Sequence, residues 1–327
     1  MARVFIDGFE SGGMDCWDYI NGAVASVTQK YTGSYGLNFP NIVYNCYKDI
    51  PSQFSYYLAF RFRPGSSAVS SLINLNEGTA NHINIEVAAQ SGGVVFTARR
   101  GGTQIATGTT VYVTNEWLLV EVYVLINDST GRVIVKINGV DLEIDFTGDT
   151  RNAGTLGKID RLGAGSSVIN VVTSGYFDDF VVDDAGWIGD TRIAGLSPDG
   201  AGNSAQWDPS AGANYACVDE VPASDADYVS TNVNDEIDTY SLANLGVSPY
   251  SVKAVQVLAR ARKEGASTPQ NIALVVRTGS TDYPSSDQAL GTNFKGHVNL
   301  WEQNPNTAAA WTESDVNGLQ PGVKSRA

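Results

Sequence analysis

The chain has 327 residues, 43% of them hydrophobic and only 17% charged, with a formal net charge of −14. That acidity repels a phosphate backbone and an anionic bilayer surface, so nucleic acid and membrane surfaces are set aside as direct partners. No apolar run reaches the length of a membrane span, and the length fits about two domains.

The opening strand is expected at Val4-Phe5-Ile6, ending in Asp7-Gly-Phe-Glu10, and Trp17 then reads as a core plug. After the turn at Gly33–Gly36, Leu37 and Phe39 share one face. Leu58, Phe60 and Phe62 alternate against Ala59, Arg61 and Arg63, the pattern of a half-buried antiparallel strand with its arginines toward solvent. Pro64-Gly65 stops it. Short strands follow at 71–75, 82–87, 94–99 and 103–107, and Trp117–Ile126 is the longest apolar run. The chain returns at Arg132–Ile137, and Asn138-Gly139 gives the tightest hairpin signal, leading through Val140 to Phe146. Strands at Ile159–Gly163 and Tyr176 onward close the set; there Phe177, Val181 and Trp187 offer apolar surface, Asp178 and Asp179 interrupt it, and Asp183-Asp184-Ala-Gly makes a turn. So many alternating strands must each bury one face, which two antiparallel sheets packed face to face accomplish.

Gly186–Pro209, with Ser197-Pro-Asp-Gly-Ala-Gly202 at its middle, has the composition of a linker,. The expected domains are therefore 1–195 and 196–327, each an antiparallel β-sandwich in an all-β protein. In the second, strands are expected at 227–232, 236–241, 251–262, 270–277 and 294–301, with a turn at Lys263–Ser267. Alternation puts the charges of Arg260, Arg262 and Lys263 on a solvent face. Trp301 and Trp311 read as core anchors, Thr312-Glu-Ser-Asp315 caps a single helical turn, and Leu319–Val323 is a last strand interrupted by Pro321.

Asp7-Gly-Phe-Glu10, Gly33-Ser-Tyr-Gly-Leu37, Trp117, Gly131–Gly139 and Phe177-Asp-Asp-Phe180 occur in that order. Together they resemble the concanavalin A-like, laminin-G-like jelly roll, in which first and last strands lie side by side. The second half carries Trp207-Asp-Pro, Asp225-Ala-Asp-Tyr, the Val252–Arg262 strand and Trp311-Thr-x-x-x-Val316-Asn-x-Leu319-x-x-Gly322-Val323. It resembles a module of tailed-bacteriophage virion proteins. The resemblance implies a structural virion component, exposed on the particle as a tail, neck or surface appendage. It would assemble with other virion proteins, as a homo-oligomer, and could contact host glycans. Without an apolar leader of the Sec type, the chain is expected to be made in the host cytoplasm. The alternative is a carbohydrate-binding lectin or polysaccharide-active enzyme.

The residues yield no catalytic, cofactor-binding or metal assignment. Glycosidase chemistry needs paired carboxylates, but in the nearest match, Glu143-Ile-Asp145-Phe-Thr-Gly148, a glycine takes the place of the second glutamate, and Glu236-Ile-Asp238-Thr-Tyr-Ser241 fails likewise. His82 and His297 stand far apart, and Cys16, Cys46 and Cys217 have neither disulfide nor zinc spacing, which leaves them as small buried side chains,. Asp178, Asp179, Asp183 and Asp184, with Asp7 across the sheet, could offer oxygens to Ca²⁺, against the simpler reading of solubilising edge acids. Tyr44, Asn45, Tyr47, Tyr56 and Tyr57 are the residues available for stacking on a sugar.

Overall fold

The computed structural model describes residues 3–40, 44–65, 70–139, 141–152, 154–165, 175–248, 251–265 and 269–327. Val140, expected to open a strand, and Ala266 and Ser267, expected in a turn, lie outside them. The chain is nearly all β and divides into two compact units, one of Met1–Glu10 with Trp17–Ile193 and one of Ser11–Cys16 with Ala194–Ala327. No sequence feature marked Ser11–Cys16 as part of the second unit. Among the described residues no helix is long and apolar enough to cross a membrane.

The first unit opens with β1 (Arg3–Asp7), β2 (Tyr19–Asn21), β3 (Val24–Ser26), β4 (Gly36–Asn38) and β5 (Asn45–Gln53). Next come β6 (Ser55–Pro64), β7 (Ser70–Glu77), β8 (Ala80–Gln90), β9 (Gly93–Arg100) and β10 (Thr103–Thr107). It ends with β11 (Leu118–Leu125), β12 (Gly131–Ile137), β13 (Asp141–Gly148), β14 (Ile159–Gly165) and β15 (Gly175–Asp183). Among the described residues these make an eight-stranded sheet in the order β13-β12-β11-β6-β15-β4-β3, with β1 also on β15, and a seven-stranded sheet, β10-β9-β8-β7-β14-β5-β2. The first and last strands are adjacent, as the jelly-roll resemblance implied, with Ile6 opposite Val181 and Asp7 opposite Phe180.

Alternation fills the space between the sheets. Phe60, Phe62, Val120, Val122 and Phe177 from one sheet and Leu75, Ile83, Ile85 and Phe96 from the other are all fully buried. Phe60 and Phe180 stack with centroids 4.8 Å apart, and Trp17 meets Phe5 and Phe180 edge-on at 5.2 and 5.8 Å.

The outward face of β6 departs from its expected exposure. Ala59 is 1% exposed and Arg61 6%, because the chain beyond β15 folds back across that face. Ile188 packs with Ala59, Leu119 and Val181, flanked by Ile6, Tyr57 and Ile193. The eight-stranded sheet therefore carries apolar contacts on both faces.

The second unit contains β16 (Pro198–Ala205), β17 (Asp208–Pro209), β18 (Val229–Ser230), β19 (Ile237–Leu242), β20 (Val255–Ala261) and β21 (Asn271–Thr278). After these come β22 (Thr281–Pro284), β23 (Gln288–Ala289), β24 (Lys295–Trp301), β25 (Gln303–Asn304), β26 (Ala309–Ala310), the helical turn α1 (Glu313–Asn317) and β27 (Gln320–Arg326). A sheet in the order β16-β19-β27-β21-β22, with β23 on β21, is faced by the β20–β24 pair. Ile272, Leu274, Val276, Trp311, Leu319 and Val323 are buried against Val257, with Trp207 and Trp301 at the margin.

Two expectations for this unit are corrected. Residues 198–205, read as linker, form a strand; Gly200 and Gly202 lie so close to β19 that an added Cβ would come within 2.6 Å of Ser241 and 2.4 Å of Thr239. Pro321 does not interrupt the last strand: it stands opposite Val276 and just beyond the ladder to β19, which begins at Gly322, so the strand carries it near one end. Arg260 lies on the outer face of its strand, as alternation implies, and is ion-paired there: Nε and Nη2 grip Asp225 at 2.7 and 2.8 Å while Nη1 reaches Asp15 at 2.8 Å. The helical turn forms as expected, with the Asp315 N–H donating to Thr312 Oγ1 and the Thr312 N–H donating to Asp315 Oδ2.

Trp311 fills this core and its Nε1 donates to the Trp301 carbonyl at 2.9 Å. Trp311→Ala should therefore cost about 3–5 kcal/mol, and Thr312→Ala, which removes only the cap, about 1 kcal/mol. Urea unfolding of the two variants checks the order, and equal small losses would contradict this packing.

Candidate functional site

The site begins at a step out of register. Phe177 and Phe180 both point into the core although three residues separate their positions, so β15 must hold one residue too many for strict alternation. The register to β6 shifts between Asp178 and Val181, and Asp179 adopts a left-handed φ of 49°. This is a β-bulge. It leaves two adjacent acids 1% and 2% exposed, in a strand paired to β6 on one side and to β1 and β4 on the other. They are not edge acids.

Each is held by donors. Asp178 Oδ2 accepts the N–H groups of Tyr31 at 2.7 Å and Thr32 at 3.1 Å, and its Oδ1 accepts that of Asp179 at 2.8 Å. Asp179 accepts the Thr32 hydroxyl at 3.1 Å and the Ile193 N–H at 2.7 Å. The bulge thus staples the loop before β4, and the backbone at Ile193, to the sheet. Burial, with the charge of Asp179, pushes the pKa of Asp178 up to about 7, while the backbone donors pull it back. Burial pushes Asp179 up to about 6, against its hydrogen bonds and the charges of Arg61 and Arg192.

Residues 184–193 run from the end of β15 over the outer face of the sheet. Asp183 starts the turn by accepting the N–H groups of Ala185 and Gly186 at 2.7 and 3.1 Å, and it pairs with Arg3. Gly189 donates its N–H to buried Glu121 at 2.8 Å, and Asp190 pairs with Arg61. Beside this segment opens a cleft of about 530 Å³, whose walls include Tyr31, Arg61, Lys136, Asn138, Trp187 and Asp190. The Lys136 ammonium sits 3.7 Å from the centroid of Trp187, the Arg61 guanidinium 4.1 Å from that of Tyr31, and Tyr57 meets Trp187 edge-on at 5.3 Å. Trp187 remains 38% exposed. Such a cleft offers aromatic surface flanked by charged and amide hydrogen-bonding groups.

Sequence reasoning named Trp187, Arg61 and Asn138 among these walls, as apolar surface, a solvent charge and a turn residue, and none as part of a site. The available signal was a tryptophan inside a glycine- and aspartate-rich stretch directly after the closing strand. The five residues considered for stacking are dispersed. Tyr56 is buried, its hydroxyl donating to the Pro51 carbonyl, whereas Tyr57 points the opposite way toward Trp187, as neighbours on a strand must. Tyr47 stacks on Tyr19 at 4.7 Å with Arg161 over it at 4.0 Å, on the outer face of the seven-stranded sheet. Tyr44 packs on Gly22, whose φ is 69° and where a Cβ would meet the ring at 2.4 Å; Asn45 stands in the β5 ladder opposite Asn21 and Gly165.

The acids considered for calcium do not converge. Asp7 is spent on the Phe9 N–H at 2.7 Å and Trp17 Nε1 at 2.8 Å, and Asp178, Asp179 and Asp183 are engaged as described. Among the described residues no group of three or more His, Cys, Asp or Glu side chains could hold a metal ion. Glu143 accepts the Tyr112 hydroxyl at 2.8 Å and Asp145 grips Arg132 through two 3.0 Å bonds. Asp238 is buried under Trp207 N–H, Asn214 and Tyr240 donors, and Glu236 accepts the Thr231 hydroxyl. His82 is fully buried, with Nδ1 accepting the Asn152 N–H at 3.0 Å, and His297 is buried in the second unit. All three cysteines are buried.

No family model and no curated protein matches the chain. Solved structures similar to it include a cellulose-induced protein, Cip1, at 16% identity, covering 57% of this chain and all of that one with a TM-score of 0.38. A heptameric SAP-like pentraxin from Limulus polyphemus is 14% identical over 44% of this chain and 71% of its own, with a TM-score of 0.34. Domain 4 of the arabinanase AbnA from Geobacillus stearothermophilus, solved with arabinotriose, is 13% identical over 56% of this chain and 93% of its own, with a TM-score of 0.35. Likenesses of this degree carry no ligand or activity to the present chain.

The raised pKa values of the bulge acids set a pH dependence. Ordinary aspartates titrate near 3.9, so between about pH 4 and 7 the folded chain holds more protons at these two groups than the unfolded chain, and their contribution to stability falls as pH rises. In Asp179→Asn the amide oxygen can still accept the Ile193 N–H and the amide nitrogen can donate to the Thr32 hydroxyl. Urea unfolding from pH 4 to 8 should show this variant gaining on the parent chain as pH rises; a constant difference would refute the assignment.

Proposed function

We propose that the chain binds a saccharide in the cleft between residues 184–193 and the outer face of the eight-stranded sheet, and that it acts by binding rather than turnover. The observation that carries this reading is the half-open Trp187 ring, flanked by Lys136 and set beside Tyr31, Arg61 and Asn138 in one cleft. A sugar ring presents apolar C–H groups on one face and hydroxyls around its rim. An aromatic wall with amide and charged groups at its edge matches both. Binding without turnover is supported by the engagement of the cleft's own acids, Glu121 with the Gly189 N–H and Asp190 with Arg61.

A second reading, compatible with the first, makes the chain a structural component of a tailed-phage particle that touches host glycans through this cleft. It is favoured by the motif from Trp311 to Val323, whose apolar members build the second unit's core. Mass spectrometry of purified particles tests it.

A glycan array tests the saccharide reading. Trp187→Ala should weaken any glycan bound by about tenfold or more, equivalent to about 1.4 kcal/mol, while lowering the urea unfolding midpoint less than Trp311→Ala does. Binding unaffected by the substitution would remove the cleft from consideration.

A further inference from the structure

We infer that the cleft selects an acidic sugar, one whose carboxylate takes the place of Asp190 on Arg61; this deepens the saccharide reading and rests on it. Arg61 is a buried guanidinium, its side chain 7% exposed, and the ion pair to Asp190 uses Nη2 alone. Arg61 Nε is buried with no hydrogen-bond partner. A guanidinium edge presents Nε and Nη2 side by side, in the geometry that one carboxylate fills with two parallel hydrogen bonds. Asp190 reaches only one of the two. A buried donor left unmade is expensive, so a carboxylate able to approach along the guanidinium edge has an advantage over the resident one.

Asp190 is also poorly anchored. Its side chain is 60% exposed, so water solvates it readily, and the cost of uncovering buried Arg61 is met only when the incoming carboxylate takes its place. Once Asp190 leaves, the cleft walls keep two cations, Arg61 and Lys136, against one acid, Glu121, which is 4% exposed and held by the Gly189 N–H, while Asp179 behind the wall feels the charge of Arg192 as well as that of Arg61. The net charge at the cleft then favours a monoanion. Lys136 rests on Trp187, so the aromatic wall and the second cation meet one ligand together. A hexuronate, whose carboxylate is bonded directly to a ring carbon, puts charge and stacking face within one residue of sugar.

The test compares methyl β-D-glucuronide with methyl β-D-glucoside, which differ only in the carboxylate, by ligand-observed NMR titration of the full chain. The glucuronide should bind at least about tenfold tighter, a difference of about 1.4 kcal/mol, and added salt should narrow the gap. Lys136→Met should weaken the glucuronide by more than it weakens the glucoside. Asp190→Asn, at an exposed position, should tighten the glucuronide severalfold by removing the competing carboxylate, a larger change than the glucoside shows. Equal binding of the two glycosides, or an Asp190→Asn variant that binds the glucuronide no better, overturns the inference while a positive glycan array keeps the saccharide reading. An array on which no glycan binds overturns both.

Discussion

Two carboxylates enclosed in the middle of a sheet are an expensive arrangement, and β15 keeps them because of what they hold. A buried acid is tolerable only when donors surround it, and here the donors come from elsewhere in the chain: the backbone at Tyr31 and Thr32, the Thr32 hydroxyl and the backbone at Ile193. One extra residue in the strand turns the Asp178–Asp179 pair into a clamp on two segments that have no strand partner of their own. Both segments reach the cleft, one supplying Tyr31 and the other Trp187 and Asp190. The cleft therefore depends on the bulge, and the bulge on the demand of Phe177 and Phe180 to share a core.

Much of the fold was legible. Period-two alternation in β6 and β12, the Asn138-Gly139 turn and the spacing of short strands dictate antiparallel sheets, and the adjacency of first and last strands followed from the resemblance. What alternation cannot report is whether its polar side meets water. Arg61 in β6 looks identical in sequence whether solvated or buried beneath a returning segment, and only the fold brings Ile188 and Ile193 over it. The same blindness made residues 198–205 look like linker. Their glycines serve close approach to β19 rather than flexibility, and composition alone does not separate the two uses.

The candidate site was less legible than the fold, since it is assembled from parts of five regions. Tyr31 comes from a loop, Arg61 from β6, Glu121 from β11, Lys136 from β12, and Trp187 and Asp190 from the segment after β15. None forms a local motif. Phe177-Asp-Asp-Phe180 did announce itself as unusual, but the expected roles were metal binding or edge solubility. The strand's interior position excludes the second, and the protein donors around each carboxylate account for the charges without the first.

With a core on one side and Ile188, Trp187 and Ile193 on the other, the eight-stranded sheet is the middle layer of three over part of its breadth. A two-layer sandwich ordinarily keeps an outer face on which substitutions accumulate freely. Around Ala59, Leu119 and Val181 no such face exists, so drift and engineering alike are constrained there as they are in a protein's centre. Tolerance to change should instead concentrate at positions such as Val27, Leu142 and Leu156, whose side chains stand well exposed. Those are the places where labels or attachment chemistry can be added without disturbing the layer beneath.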